Sequence, residues 1–176
     1  MERQAEVQEY KPELAPRRGE LIAWGCAVLL NGSWILLIAF NQPLSFWLPF
    51  LGLPMILIAS GISLANWMDR KTTITIKLAS IYFSNGLRHV LFNWQEIQEV
   101  RVLPAQWGKK VQVFGEHAYF GFQTLGEVEA YGRVLGRTGF VDGERILMQI
   151  LKRAELGEAR QVEVGGQLDA YYYSRE

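Results

Sequence analysis

Between Glu20 and Asp69 the chain carries 48 consecutive residues without an Asp, Glu, Lys, Arg or His. A single helix of that length would be roughly 70 Å long, whereas the hydrocarbon core of a bilayer is about 30 Å thick. Asn41, Gln42 and Pro43 form a strong breaker cluster within the run. The sequence therefore predicts two transmembrane helices, residues 21–40 and 46–67, joined by a short turn.

The residues that flank this helical hairpin predict its orientation. Arg17 and Arg18 precede the first span, Arg70 and Lys71 follow the second, and the connecting turn carries no charge. The positive-inside rule then places both termini in the cytoplasm. We expect a multi-pass protein of the inner (plasma) membrane, or of the thylakoid membrane if the source is photosynthetic. A cleaved signal peptide is disfavoured, because about twenty polar residues precede the first span and no A-x-A site follows it.

Small and weakly polar residues recur in both spans. Such residues allow helix backbones to approach closely and to bond across an interface. Two readings remain open at this stage, packing of the two helices against each other and a site for a partner helix. The single cysteine, Cys26, lies in the first span and is expected to be a small membrane-buried residue, which excludes an intrachain disulfide. The small and weakly polar residues of the two spans are Gly25, Asn31, Gly32, Ser33, Gly52, Ala59, Ser60, Gly61 and Ser63.

After Arg70 the apolar pattern changes from helical to alternating. β-Branched and aromatic residues dominate 72–77 and 81–83, and Asn85-Gly86 supplies a tight hairpin turn. Trp94 and Ile97 belong to a short corner at 93–97. Further short strands are predicted at residues 88–92, 100–103, 109–114 and 118–122.

The period becomes helical again near the end of the chain. Apolar residues fall on one face of a helix that begins after Asp142, a candidate N-cap, and stops near Gly157. The sequence thus predicts a membrane-anchored α+β protein, in which antiparallel strands are closed by one C-terminal helix. The residues on the apolar face are Ile146, Leu147, Ile150, Leu151 and Ala154.

The order of these elements resembles a known family. Two transmembrane helices, a strand ending in Ile81-Tyr82-Phe83, the Asn85-Gly86 turn and the segment from Phe92 to Val100, FNWQEIQEV, are similar to bacterial membrane proteins with a pleckstrin-homology-like (PH-like) domain. In that family a Trp, an acidic residue and an Ile recur before a Val-rich strand. The resemblance implies an antiparallel β-sandwich or barrel, of two roughly orthogonal sheets, capped by a C-terminal helix.

One segment departs from the family pattern. Residues 126–143 contain five glycines, yet Thr124 to Glu127 resembles a capping box, and apolar residues follow at helical spacing. A helix, a hairpin and a loop all remain open for this segment. The predicted domains are a disordered cytoplasmic tail at 1–19, the transmembrane hairpin at 20–68, the PH-like domain at 69–158 and a C-terminal tail at 159–176.

Charge is distributed unevenly over the predicted soluble part. Residues 70–110 contain seven basic and two acidic residues, whereas residues 111–176 contain seven basic and ten acidic residues. A basic surface close to an anionic leaflet is attracted to headgroups, but a solvated strand face gives the same pattern. Nucleic acid is not an expected partner, since the soluble part as a whole is close to neutral. The candidate headgroup or partner contacts are Lys71, Lys77, Arg88, Lys109 and Lys110.

The sequence carries no motif for catalysis, a cofactor or a metal. His89 and His117 stand in no ligand spacing, and the glycines after Gly126 match no nucleotide-binding fingerprint. Near the C-terminus Tyr171, Tyr172 and Tyr173 suggest either a docking element for a partner or a floppy tail.

We therefore expect a non-enzymatic membrane adaptor that binds a protein partner and helps assemble or regulate a membrane complex. Domains of this resemblance usually bind peptides, protein surfaces or headgroups. A sensor of anionic lipid headgroups is the main alternative, and a membrane-bound enzyme with an unrecognised site is the second.

Overall fold

The computed structural model describes residues 7–14, 17–43, 47–130, 132–164 and 167–175. These residues form three α-helices, eleven β-strands and one short 3-10 helix at Trp94–Glu96. In chain order the elements are β1 (Gln8–Tyr10), α1 (Arg18–Ala39), α2 (Trp47–Lys71), β2 (Thr73–Ile76), β3 (Ser80–Ser84), β4 (His89–Asn93), β5 (Ile97–Pro104), β6 (Lys109–Gly115), β7 (Tyr119–Gln123), β8 (Gly126–Ala130), β9 (Arg133–Thr138), α3 (Gly143–Ala154), β10 (Arg160–Val164) and β11 (Gln167–Ser174).

The described chain divides into two compact units. The first is the pair of helices within Pro16–Met68, and the second combines described residues from 1–15 with those from 69–176. Both α1, with 22 residues, and α2, with 25, are long and apolar enough to cross a membrane. Each helix extends beyond its predicted span at the end that carries the charged flank, and Phe46 lies outside the described residues.

The two helices of the first unit pack through small residues. Ala27 on α1 and Ala59 on α2 are buried, and Asn31 donates a 3.1 Å hydrogen bond from Nδ2 to the Gly52 carbonyl. A Cβ at Gly52 would lie 2.7 Å from Oδ1 of Asn31, so only glycine fits there without a shift. This geometry supports mutual packing for part of the small-residue set. Gly25, Gly32 and Gly61, by contrast, have open space around an added Cβ, and Cys26 is exposed rather than buried within this unit.

A polar cluster joins the charged ends of the two helices. The Glu20 carboxylate on α1 accepts 2.8 Å hydrogen bonds from the Ser63 hydroxyl and the Asn66 amide on α2. The Trp24 indole donates to the same Ser63 oxygen, also at 2.8 Å. These side chains align α1 and α2 at the ends that carry the basic flanks.

The second unit contains two antiparallel sheets and a separate hairpin. The strand orders are β1-β2-β3-β4 and β10-β11-β5-β6-β7, while β8 pairs with β9. Apolar residues from both sheets and from α3 form one core, which agrees with the predicted alternation. The antiparallel α+β layout closed by a helix is confirmed.

The predicted corner is confirmed in detail. Trp94 is 7% exposed and Ile97 is fully buried, and the Trp94 indole donates a 2.9 Å hydrogen bond to the Leu78 carbonyl. Asn93 and Glu96 close a capping box around the 3-10 turn, in which Glu96 accepts from the Asn93 backbone N–H at 3.0 Å. The corner is therefore fixed by apolar burial and by local hydrogen bonds.

Helix α3 also follows its prediction. Asp142 occupies the N-cap position, although its side chain makes no capping hydrogen bond, and the apolar face packs into the core. The helix ends at Ala154, where Glu155 adopts a left-handed conformation with φ 51°, so it stops before Gly157. Within residues 126–143, for which three structures remained open, Gly126–Ala130 and Arg133–Thr138 pair as the antiparallel strands β8 and β9.

Both predicted tails contain strands. The prediction of a disordered N-terminal tail is wrong for Gln8–Tyr10, because this segment is β1 and pairs with β2. The C-terminal tail forms β10 and β11, and β11 pairs with β5 in the centre of the second sheet. Short polar segments of this kind gain their structure from the sheet edge that they join, which their own pattern does not reveal.

Candidate functional site

The five predicted basic contact residues lie in separate places on the second unit. Lys71 ends α2 and Arg88 precedes β4, and the register of Thr73 with Ser84 brings these two to the same end of the first sheet. Lys77 follows the opposite end of β2, and at the usual rise of a strand the Cα atoms of Thr73 and Lys77 are about 13 Å apart. All three side chains are exposed.

The other two basic residues begin β6. Lys109 forms a 2.9 Å ion pair with Glu144 on α3, with both side chains exposed. Lys110 is exposed and lies on the outer face of the second sheet, since its neighbour Val111 points into the core. The structure therefore does not assemble the five residues into one surface.

The three C-terminal tyrosines belong to a sheet. Tyr171, Tyr172 and Tyr173 are the register partners of Val102, Arg101 and Val100 on β5. Tyr173 packs against the core, whereas Tyr172 lies on the outer face beside Arg101. The expectation of a floppy tail is wrong for these residues, because all three belong to β11 and are held in the second sheet.

The side chain of Arg101 is the centre of an ordered group on that outer face. Its guanidinium lies 4.6 Å from the ring centroid of Phe114 and 5.4 Å from that of Tyr172. Glu99 accepts two hydrogen bonds from it, at 2.7 and 3.1 Å. The hydrogen bond with Glu99 raises the pKa of Arg101 above its ordinary value, so the guanidinium stays charged.

The group continues across the sheet. Phe114 stacks on Tyr119 of β7 with ring centroids 5.7 Å apart and an interplanar angle of 24°. The guanidinium of Arg88, on the turn between β3 and β4, lies 4.6 Å from the centroid of Tyr119. We call this continuous series the arginine–aromatic ladder, and its members are Arg88, Tyr119, Phe114, Arg101 and Tyr172.

Strand alternation explains why these side chains share one face. Val100 and Val102 are buried, which turns Arg101 outward, and Val111 and Val113 do the same for Phe114. The Val-Arg-Val pattern is the sequence signal for Arg101, but Arg101, Phe114 and Tyr119 were not predicted as site residues. Their stacking depends on the register between β5, β6 and β7, which no local pattern encodes.

Several basic side chains lie on the face around the ladder. Arg160 is the register partner of Tyr172, and Lys110 lies on the same side of β6 as Phe114. Glu99, which is already bonded to Arg101, is the acidic residue that the outward positions of β5 contribute. The described basic residues of the face are Arg88, Arg101, Lys110 and Arg160.

A cleft of about 450 Å³ lies at the C-terminal end of α3. Arg175 donates to the carbonyls of Gln95, Trp94 and Ala154, and Arg153 donates a 2.7 Å bond to the Lys77 carbonyl. Arg175 thereby satisfies the Ala154 carbonyl at the C-terminus of α3, where positive charge is favourable. We therefore assign Arg175 a role in fixing the C-terminal strand, and Arg153 a role in fixing α3 to the segment after β2.

Among the described residues no group of three or more His, Cys, Asp or Glu is placed to hold a metal ion. His89 shares a 2.8 Å hydrogen bond with the Tyr82 hydroxyl, and His117 is exposed in the turn after β6. Comparison of the chain with protein-family models, with curated proteins and with solved structures found no match in any of the three.

Proposed function

We propose that this protein is a non-enzymatic membrane adaptor, in which a PH-like domain anchored by a transmembrane hairpin binds a protein partner. The observation that carries the proposal is the arginine–aromatic ladder on the outer face of the second sheet. Through this face the domain helps to assemble or regulate a membrane complex.

The composition and the order of the ladder favour a protein partner. Arg and Tyr are enriched among the residues that contribute most to protein interfaces. The Arg101 guanidinium contacts the rings of Phe114 and Tyr172 and forms two hydrogen bonds with Glu99, so its position is already restrained. Binding therefore loses less side-chain entropy at this position than at a mobile arginine. Tyr119, which is 50% exposed, offers further aromatic surface to a partner.

The pairing of β1 with β2 supports the proposed topology. β1 precedes α1 in the chain and β2 follows α2, so a hairpin that crosses the bilayer twice returns the chain to the side where β1 lies. The basic flanks at Arg17, Arg18, Arg70 and Lys71 favour the cytoplasmic side. A multi-pass protein of the inner membrane, with both termini in the cytoplasm, satisfies both observations.

The separation of the basic residues gives less support to the headgroup-sensor alternative. A multivalent headgroup surface requires its cations within reach of one ligand, whereas Lys77, Lys109 and Arg88 occupy different ends of the strands. We expect weak attraction to anionic lipid that falls with salt and shows little headgroup preference. Retention of one anionic lipid by the purified protein, abolished by charge reversal at Lys71 and Arg88, would favour the sensor.

The proposal is tested by purifying the tagged full chain from native membranes in a mild detergent. We expect a stoichiometric protein partner to accompany the wild type and to be lost from Arg101→Ala, because the ladder loses its central cation. Lys109→Ala is the matched control, since it removes an exposed basic residue that lies outside the ladder and should retain the partner. Equal recovery with both variants, or no partner with the wild type, contradicts the proposal.

A further inference from the structure

The second sheet ends at β7, and its hydrogen-bonding pattern determines which backbone groups point away from β6. The Gly115 N–H donates to the Ala118 carbonyl, and the Thr124 N–H donates to the Lys109 carbonyl, each at 2.9 Å. In an antiparallel pair the directly bonded positions alternate. Phe120 and Phe122 therefore exchange bonds with β6, whereas Tyr119, Gly121 and Gln123 direct their N–H and C=O groups outward.

Part of this outer edge is already covered. The Phe140 N–H donates a 2.8 Å hydrogen bond to the Gln123 carbonyl, and Thr124 forms a parallel bridge with Phe140. Tyr119 and Gly121 have no strand alongside them among the described residues, and both are exposed. The free edge of β7 thus consists of these two residues, at the end of the sheet where the ladder lies.

We infer that an extended segment of the partner, carrying an acidic side chain, adds as a strand to the free edge of β7. This inference rests on the proposed function and specifies how the partner is held. An unpaired sheet edge is a template for another strand, which gains main-chain hydrogen bonds and presents its side chains to both faces. The outward N–H and C=O groups of Tyr119 and Gly121 supply those bonds.

Charge complementarity identifies the side chain that the segment carries. Arg88 lies over Tyr119, and among the described residues no carboxylate pairs with its guanidinium. Arg101, by contrast, is already paired with Glu99. A carboxylate on the added strand, opposite Tyr119, projects on the outer face of the sheet and reaches the free donors of Arg88.

Position 121 allows the edge to be tested by substitution. Gly121 lies opposite Gln112, and a side chain added there would project from the outer face and not into the plane that an incoming strand occupies. An added Cβ would lie 3.3 Å from the Val111 carbonyl oxygen, a tight contact that alanine and proline share. Because the Gly121 N–H points away from β6, Gly121→Pro removes an outward donor without breaking a bond to β6.

The test uses isotope-labelled full-length protein in detergent micelles and two short capped peptides. Both have the pattern Thr-Val-X-Val-Thr, with Glu as X in one peptide and Lys in the other. We expect the Glu peptide to shift the amide resonances of Tyr119 and Gly121, with an affinity about tenfold above that of the Lys peptide. Gly121→Pro should lower the affinity for the Glu peptide by about tenfold, whereas Gly121→Ala should leave that affinity nearly unchanged.

A second variant keeps the test decisive if Gly121→Pro does not fold. Arg88→Gln removes an exposed guanidinium and should eliminate the preference for the Glu peptide. Equal affinity in the proline and alanine variants, equal binding of the two peptides by the wild type, or shifts confined to other residues would overturn the inference.

The same variants separate this inference from the adaptor proposal. If Gly121→Pro keeps the partner purified from native membranes while Arg101→Ala loses it, the adaptor stands and strand addition is wrong. If the wild type recovers no partner, the adaptor proposal fails whatever the peptides do.

Discussion

Glu9 on β1 is the register partner of Thr75 on β2, although both apolar helices lie between them in the chain. The segment before α1 and the segment after α2 therefore belong to one sheet. We predict that cysteines at these two positions form a disulfide in the Cys26→Ala background, because directly opposed Cα atoms are about 4.5 to 5.5 Å apart. Mobility on a non-reducing gel measures the product.

The matched control places the second cysteine out of register. Glu9→Cys with Thr73→Cys puts the pair on the same face but diagonally, at about 7 to 8 Å, which is too far for efficient bridging. Equal cross-linking of the two pairs, or none in either, would show that β1 does not pair with β2 in this register.

The second prediction concerns the side of the membrane on which the domain lies. In the Cys26→Ala background, Asn41→Cys lies in the turn between the helices, and Thr73→Cys lies at the start of β2. We expect an impermeant maleimide added to intact cells to label the cysteine at position 41 and to leave that at position 73 unmodified until the cells are lysed. Labelling of position 73 in intact cells would reverse the proposed orientation.

The corner at Trp94 gives the third prediction. Trp94→Ala should destabilise the domain by roughly 3 to 5 kcal/mol, because it removes a large buried side chain. Trp94→Phe keeps an aromatic ring and loses the hydrogen bond to the Leu78 carbonyl, which should cost about 1 kcal/mol. Denaturant unfolding of the full chain measures both values, and Gln95→Ala, at an exposed neighbouring position, is the control. Unchanged stability in Trp94→Ala would show that Trp94 is not part of the hydrophobic core.

The fourth prediction concerns packing between the two helices. Gly52→Val should destabilise the helix pair by about 1 to 3 kcal/mol, because its Cβ would meet the Asn31 side chain and disrupt the bond to the Gly52 carbonyl. Gly61→Val places the same side chain on the same helix, where an added Cβ meets open space. Thermal unfolding in detergent compares them, and an equal loss of stability would contradict the observed helix interface.

The sequence predicted the elements whose signals are local. The Asn85-Gly86 turn has its left-handed Gly86, with φ 83°, and the Trp94 corner is buried because apolar residues alternate on either side of it. β1 is different, since Gln8–Tyr10 contains one aromatic residue and becomes a strand only against the edge of β2. Tyr171 to Tyr173 show no polar alternation, so their division between the core and the outer face was not readable before β5 was placed beside them.

The candidate site was predicted only in part for the same reason. Arg88 and Tyr172 were selected as basic and aromatic contacts, yet their connection runs through Tyr119, Phe114 and Arg101 on three different strands. Stacking across strands depends on the register of long-range pairs, whereas charge counting along the chain weighs every exposed cation equally. That is why Lys77 and Lys109 were grouped with Arg88 although they lie elsewhere.

A photoreactive amino acid at Tyr119, activated in native membranes, shows whether the outer face of the second sheet binds a protein. We predict one specific cross-linked protein partner from position 119 and none from position 91, because Leu91 is an exposed residue on the outer face of the first sheet. We also predict that Arg101→Ala greatly reduces the product at position 119. Lipid adducts alone at position 119, or the same protein cross-linked from both positions, would contradict a partner-binding face on the second sheet.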